Sequence, residues 1–191
     1  GDENFRLFSF NLESKEQEAL TPEGVRAEIF GWSQSGFYLY YHSNERDPQF
    51  MDTYRLDVRA MTTERIFENN TTFSVSDISR DDKLLILSEF INVTSSNLYT
   101  YDLDSKEMKA FTSQEDGEAG YEFADFSPDG KLFYILTDKG SEFQKLATFN
   151  RETGEWKTLL ETNWDVTKAG FSHDNNYFFT TVNIDGVSNV S

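Results

Sequence analysis

The 191-residue chain carries 34 acidic against 17 basic side chains, a formal charge of −17, and a field of that sign repels nucleic-acid backbones and anionic membrane surfaces. The absence of Cys excludes disulfides, thiolate metal sites and cysteine nucleophiles. Phe 18, Tyr 9 and Trp 3 make the chain 16% aromatic, which favours strand over helix, and no stretch approaches the roughly 20 apolar residues of a bilayer span.

The opening "GDENFRLF" has neither a basic nor an apolar leader region, so no signal peptide is expected there. The first predicted element, "NFRLFSFNLESKEQEALT" at 4–21, has a near copy in "NLYTYDLDSKEMKAFT" at 97–112. Between and beyond the two copies, a strand followed by a tight polar turn recurs as "FGWSQSGFYLYY", "VSDISRDDKLLIL", "FADFSPDGKLFYI" and "AGFSHDNNYFFTT". Anchored on Ser33, Ser79, Ser127 and Ser172, the steps are 46, 48 and 45 residues. A second column, "SFNLES", "RLDVRA", "TYDLDS" and "TFNRET", places Asn11, Asp57, Asp102 and Asn150 at steps of 46, 45 and 48. Two columns with one period define a repeat.

Each repeat reads as an apolar strand, a turn of the Pro-Asp-Gly type as at Ser127–Gly130, an aromatic-rich second strand, an alternating third strand, a short turn and a fourth strand. Four strands in about 45 residues is the signature of a β-propeller blade. In chain order, 1–24 is expected to be an outer half-blade holding third and fourth strands. Residues 25–70, 71–117 and 118–163 are expected to be complete blades. Residues 164–191 are expected to be an inner half-blade with first and second strands, stopping as a third would begin. The fold class is therefore all-β, a propeller fragment of about four four-stranded antiparallel blades, three complete and one split between the termini. Two copies could complete each other in an eight-bladed homodimeric ring, with residues 4–21 of one chain pairing with 166–183 of the other.

Three segments carry a resemblance. "SNERDPQFMDTYRLDV" at 43–58, "SEFQKLATFN" at 141–150 and "NWDVTKAGFSHDNNYFFTTVNIDG" at 163–186 together resemble the N-terminal propeller of prolyl oligopeptidase-family serine peptidases. The Ser-Pro-Asp-Gly turn is shared more widely with TolB-like propellers. The resemblance implies a seven- or eight-bladed propeller that gates peptide access to, and docks, an α/β-hydrolase domain of the parent chain. The catalytic Ser, Asp and His of the family belong to that domain and match no residue here, and the chain contains no Gly-X-Ser-X-Gly elbow. The chain itself is thus expected to be non-catalytic, within a parent that is a serine peptidase. The alternative is a TolB-like protein-interaction propeller with no linked enzyme. Family habit points to a bacterial periplasm or envelope, which no residue tests.

No metal or cofactor is expected. His42 ends a second strand and His173 sits in a turn, a poor arrangement for a shared metal or catalytic pair. "DLDS" at 102–105 starts like a calcium loop, but Glu107 and Ser113 stand where Gly and Glu are required, so a hairpin turn is the reading. Arg46, beside Asp47 in the insertion "SNERDPQFMD", has two readings: an ion pair with Asp47 or Asp52 that shapes the loop, or a contact with substrate or the hydrolase domain. Glu142 matches no family glutamate residue by residue, and Trp32, Trp156 and Trp164 are expected to pack between blades.

Overall fold

A computed structural model describes residues 4–191; Gly1–Glu3, at the head of the expected outer half-blade, lie outside the described residues. By internal packing the chain forms two compact units, one ending at Thr72 and one spanning Phe73–Ser191. The first holds a hairpin of β1 (Phe8–Phe10) and β2 (Gln17–Ala19), and a four-stranded sheet of β3 (Ala27–Trp32), β4 (Tyr38–Asp47), β5 (Phe50–Asp57) and β6 (Thr62–Phe67) in that order. The second holds two more four-stranded sheets. One is built from β7 (Phe73–Ile78), β8 (Leu84–Asn92), β9 (Ser95–Asp102) and β10 (Met108–Ala110). The other is built from β11 (Tyr121–Phe126), β12 (Leu132–Thr137), β13 (Lys145–Asn150) and β14 (Trp156–Leu160). A three-stranded sheet of β15 (Val166–Phe171), β16 (Phe178–Ile184) and β17 (Val187–Val190) follows. Every pairing is antiparallel between neighbours in sequence, the meander of propeller blades.

The closing segment differs from expectation. Asp185 and Gly186, both at positive φ, make a two-residue turn that brings β17 back onto β16, pairing Ile184 with Val187 and Thr181 with Val190. Ser191 extends this ladder with reciprocal backbone bonds to Thr180. A third strand is thus formed where only its beginning was expected.

The two repeat columns have separate physical causes. In the first, the Ser hydroxyl accepts the amide five residues on: Tyr38 to Ser33 at 3.0 Å, Leu84 to Ser79 at 2.9 Å, Leu132 to Ser127 at 2.8 Å and Tyr177 to Ser172 at 3.0 Å. The residue three beyond each Ser has positive φ, namely Gly36, Asp82, Gly130 and Asn175, so Gly, Asp or Asn stands there. In the second column an Asx side chain accepts the amides two and three residues on, as Asn11, Asp57, Asp102 and Asn150 all do. The chain then turns through a positive-φ residue at Lys15, Met61, Lys106 and Gly154. "DLDS" is therefore a hairpin turn. Replacing Ser127 with Ala would strand the Leu132 amide and is expected to lower stability by about 1–2 kcal/mol in urea denaturation.

Within each unit, side chains of neighbouring elements fill the seams between them. In the first unit Ala27, Leu39, Tyr41, Tyr54 and Leu56 form a core against which Leu7 and Leu20 of the opening hairpin pack. In the second, Phe126, Phe133 and Ile135 lie under Phe111 and Phe149, and a further cluster joins Leu136 and Leu146 to Val166 and Val182. The second strands read as continuous apolar runs, "LLIL" in β8 and "LFYIL" in β12, because both their faces are covered.

Candidate functional site

The longest hairpin, β4–β5, loses register between Ser43 and Asp47, and this irregularity turns Arg46 back towards β5. Arg46 donates from Nε to Asp52 Oδ2 at 2.6 Å and from Nη2 to Asp52 Oδ1 at 3.0 Å, a bidentate fork, and from Nη2 to the Asn69 carbonyl at 3.1 Å. Asp52 is wholly buried; it also accepts the Asn69 amide at 2.9 Å and lies 3.4 Å from Nη1 of Arg65. Burial opposes ionisation of Asp52, but the Arg46 hydrogen bonds, the Asn69 amide and the two guanidinium charges outweigh it and hold the carboxyl below its ordinary value. Asp47 is not the partner of Arg46: its carboxylate accepts the Gln49 amide at 2.9 Å and closes the hairpin tip. Of the two residues singled out from sequence, Arg46 is anchored in a structural ion pair with about a quarter of its side chain exposed, and Asp47 shapes the turn beside it.

The His42 ring stacks on Phe30 with centroids 4.5 Å apart, and its Nδ1 is 3.3 Å from the Thr53 hydroxyl. His173 lies in the β15–β16 turn. Glu142 lines a cleft of about 380 Å³ with Asp138 and Asp165, carboxylates that already accept the amides of Gly120 and Gln144. Trp156 packs on Tyr121 and Phe149, as a blade-packing residue should, whereas Trp32 is 57% exposed.

Sequence reasoning missed an arrangement in the second unit. The first strands β7 and β11 each carry a bulge, between Val75 and Asp77 and between Phe123 and Asp125, just before an Asp of the repeated "D-[IF]-S" stretch. Asp125 accepts its neighbour Phe126's amide at 2.7 Å, the Phe171 amide of β15 at 2.7 Å, and Nη2 of Arg80 at 3.4 Å, tying three successive repeats together. A Cβ on Gly170 would meet the Asp125 carboxylate at 3.4 Å and the Phe179 ring at 3.3 Å, so the close approach needs glycine or a small shift. Asp77 sits nearby; burial first, and the Asp125 charge after it, push its carboxyl up to about 6 against the Ile78 amide and Arg80. The signal available beforehand was the matching Asp two residues before Ser79 and Ser127.

The raised Asp77 value has a sign. An acid whose folded value exceeds its unfolded one contributes most below the unfolded value of 3.8, and that contribution is lost as pH rises through about 6. Asp77→Asn is therefore expected to stabilise the chain by about 2–3 kcal/mol at pH 8 and by nothing at pH 3.5. Melting temperature against pH measures the difference.

The family described as "Prolyl oligopeptidase, N-terminal beta-propeller domain" matches residues 1–191. Among solved structures, a prolyl endopeptidase superposes with a TM-score of 0.71 at 17% identity, over 97% of this chain and 29% of that one. TolB from Acinetobacter baumannii gives 0.63 at 17% identity, over 97% of this chain and 48% of its own. The acylaminoacyl peptidase of Pyrococcus horikoshii gives 0.65 at 13% identity, over 97% and 33%. At these identities the structures speak to the fold, and the chain spans about half of the TolB length and a third or less of the two peptidases. No curated protein matches in sequence. All-β meander sheets, the repeated turn chemistry and a family match over the whole length agree: the chain belongs to the N-terminal β-propeller domains of the prolyl oligopeptidase family.

Proposed function

We propose that the chain is the non-catalytic gating propeller of a prolyl oligopeptidase-like serine peptidase, restricting access to, and docking, an α/β-hydrolase domain elsewhere in the parent chain. The observation that carries this reading is the family match over residues 1–191. The chemistry would belong to the hydrolase domain; the propeller's part is steric selection of short or unfolded peptides. Arg46 and Asp47, at the tip of the β4–β5 hairpin, are the residues assigned to contact with substrate or the hydrolase domain. In the complete enzyme Arg46→Ala is expected to raise the KM for peptide substrate as well as lower the melting temperature. A fall in melting temperature with KM unchanged would remove the substrate role.

The decisive comparison uses the parent enzyme and the 191-residue chain on the same peptide and ester substrates. Turnover by the parent and none by the chain is expected; turnover that stays with the chain through purification would overturn the reading. The likeness to two TolB structures supports the alternative of an interaction propeller without a linked enzyme. A parent sequence without a nucleophile elbow would favour it. Pairing of two copies is the remaining element. Pairing residues 4–21 of one chain with 166–183 of the other would have to displace β17 from the edge of β16, and a monomer by light scattering with well-protected amides in 4–21 would count against it.

A further inference from the structure

In the second unit, residues of sheets β7–β10 and β11–β14 line a groove of about 820 Å³ that includes both outer strands, β10 and β14. Its floor is aromatic. Phe111 stacks on Phe149 at 5.3 Å, Phe149 meets Trp156 at 5.2 Å, and Tyr121 lies 6.1 Å from Trp156. Trp156 keeps 39% of its surface exposed, so the floor can accept another apolar group.

The rim is cationic. Lys109, Lys139 and Lys145 place their charges along the groove in a chain of net charge −17, while Lys157, next to Trp156 on β14, lines it with backbone. Among the described residues lining it, Asp116 is the only carboxylate, and it stands 3.5 Å from Nζ of Lys139. Lys109, Lys145 and Lys157 make no ion pair among the described residues. A positive rim over an apolar floor is the reverse of what the rest of the composition would produce, and it selects an anionic ligand with an apolar anchor.

The walls narrow the class further. β10 and β14 are the outermost strands of their sheets, and Lys109–Ser113 and Trp156–Thr158 line the groove as consecutive residues. Edge strands present unpaired backbone groups to which an extended chain can bond. The geometry points to a binding site for an extended acidic peptide, its carboxylates on the lysines and one large apolar side chain on Trp156 and Phe149. This site is independent of the gating role proposed above. The other polymer that pairs lysine with aromatic stacking, single-stranded nucleic acid, is opposed by the overall charge of −17.

The test is calorimetric titration of the 191-residue chain at low salt with the capped pentapeptide Glu-Asp-Phe-Glu-Asp. Comparison ligands are Glu-Asp-Ala-Glu-Asp, Lys-Arg-Phe-Lys-Arg and a decathymidylate. Saturable binding by the first peptide is expected. It should weaken about tenfold or more for the Ala peptide, for the basic peptide and for the double variant Lys109→Glu/Lys145→Glu. It should also weaken as salt shortens the screening length. Neither lysine is buried and neither makes an ion pair among the described residues, so the double variant should keep a melting temperature close to the wild type. No saturable binding at millimolar peptide, equal affinity in the double variant, equal affinity for the Ala or basic peptide, or preference for the oligonucleotide would each overturn the assignment.

Discussion

Phe133→Ala is expected to cost about 3–5 kcal/mol, the upper range for a buried aromatic, because the ring is fully enclosed and its loss leaves a cavity that cannot collapse. Phe133 is the centre of a ring cluster rather than one member of a row. Phe111 and Phe126 meet it edge-on at 5.2 and 5.4 Å, with Phe123 at 5.9 Å and Phe149 at 6.1 Å. These partners come from two strands, β11 and β13, and from the segment just after β10 of the adjacent sheet, so no single backbone segment can shift to fill the gap. Phe90→Ala, at a position 66% exposed, is the matched control and should change stability by no more than about 0.5 kcal/mol. Urea denaturation of both variants at pH 7 makes the comparison, and a Phe133 loss no greater than the Phe90 loss would contradict the seam packing.

Asp52→Ala should be of similar size, about 3–5 kcal/mol, by another route. The carboxylate is wholly buried and anchors Arg46, Arg65 and the Asn69 amide, so its removal leaves donors without an acceptor. The pH dependence separates this from a packing loss. The folded value of Asp52 is depressed, so its contribution is present above the ordinary carboxylate value of 3.8 and is lost as pH falls through the lower folded value. The difference between wild type and Asp52→Ala should therefore be full at pH 7 and shrink progressively below pH 3.8. A difference that stays constant into strong acid would assign the loss to volume instead. This behaviour is opposite in sign to that of Asp77, whose carboxyl favours the fold only while protonated.

The fold was legible because its punctuation is local. A Ser hydroxyl capping an amide five residues on, or an Asn or Asp capping two amides within three residues, needs no distant partner. Both therefore leave fixed spacings that a repeat search finds. The third strand of the closing sheet was under-read because its turn, Asp185-Gly186, sits only five residues before the last residue of the chain. The choice between Asp47 and Asp52 for Arg46 was open because adjacent residues point to opposite sides of a strand, and the register irregularity after Ser43 decides which carboxylate Arg46 reaches. The lysine-rimmed groove was illegible for the complementary reason. Lys139 and Lys145 flank one hairpin connection, but Lys109 joins them only when two sheets stack, and no spacing along the chain encodes a seam.

The self-contained turns also bear on how the polypeptide reaches its fold. Each hairpin can close using donors and acceptors supplied within about a dozen residues of its tip, so zippering of neighbouring strands can proceed in the order in which the ribosome delivers them. What cannot form until a whole blade and its successor exist is the long-range clasp at Asp125, which takes the amide of Phe171 from 46 residues further on. Quick hairpins followed by a slower clasp between first strands is the order this arrangement favours, and the Phe171 amide, which depends on Asp125, would be among the last to gain protection.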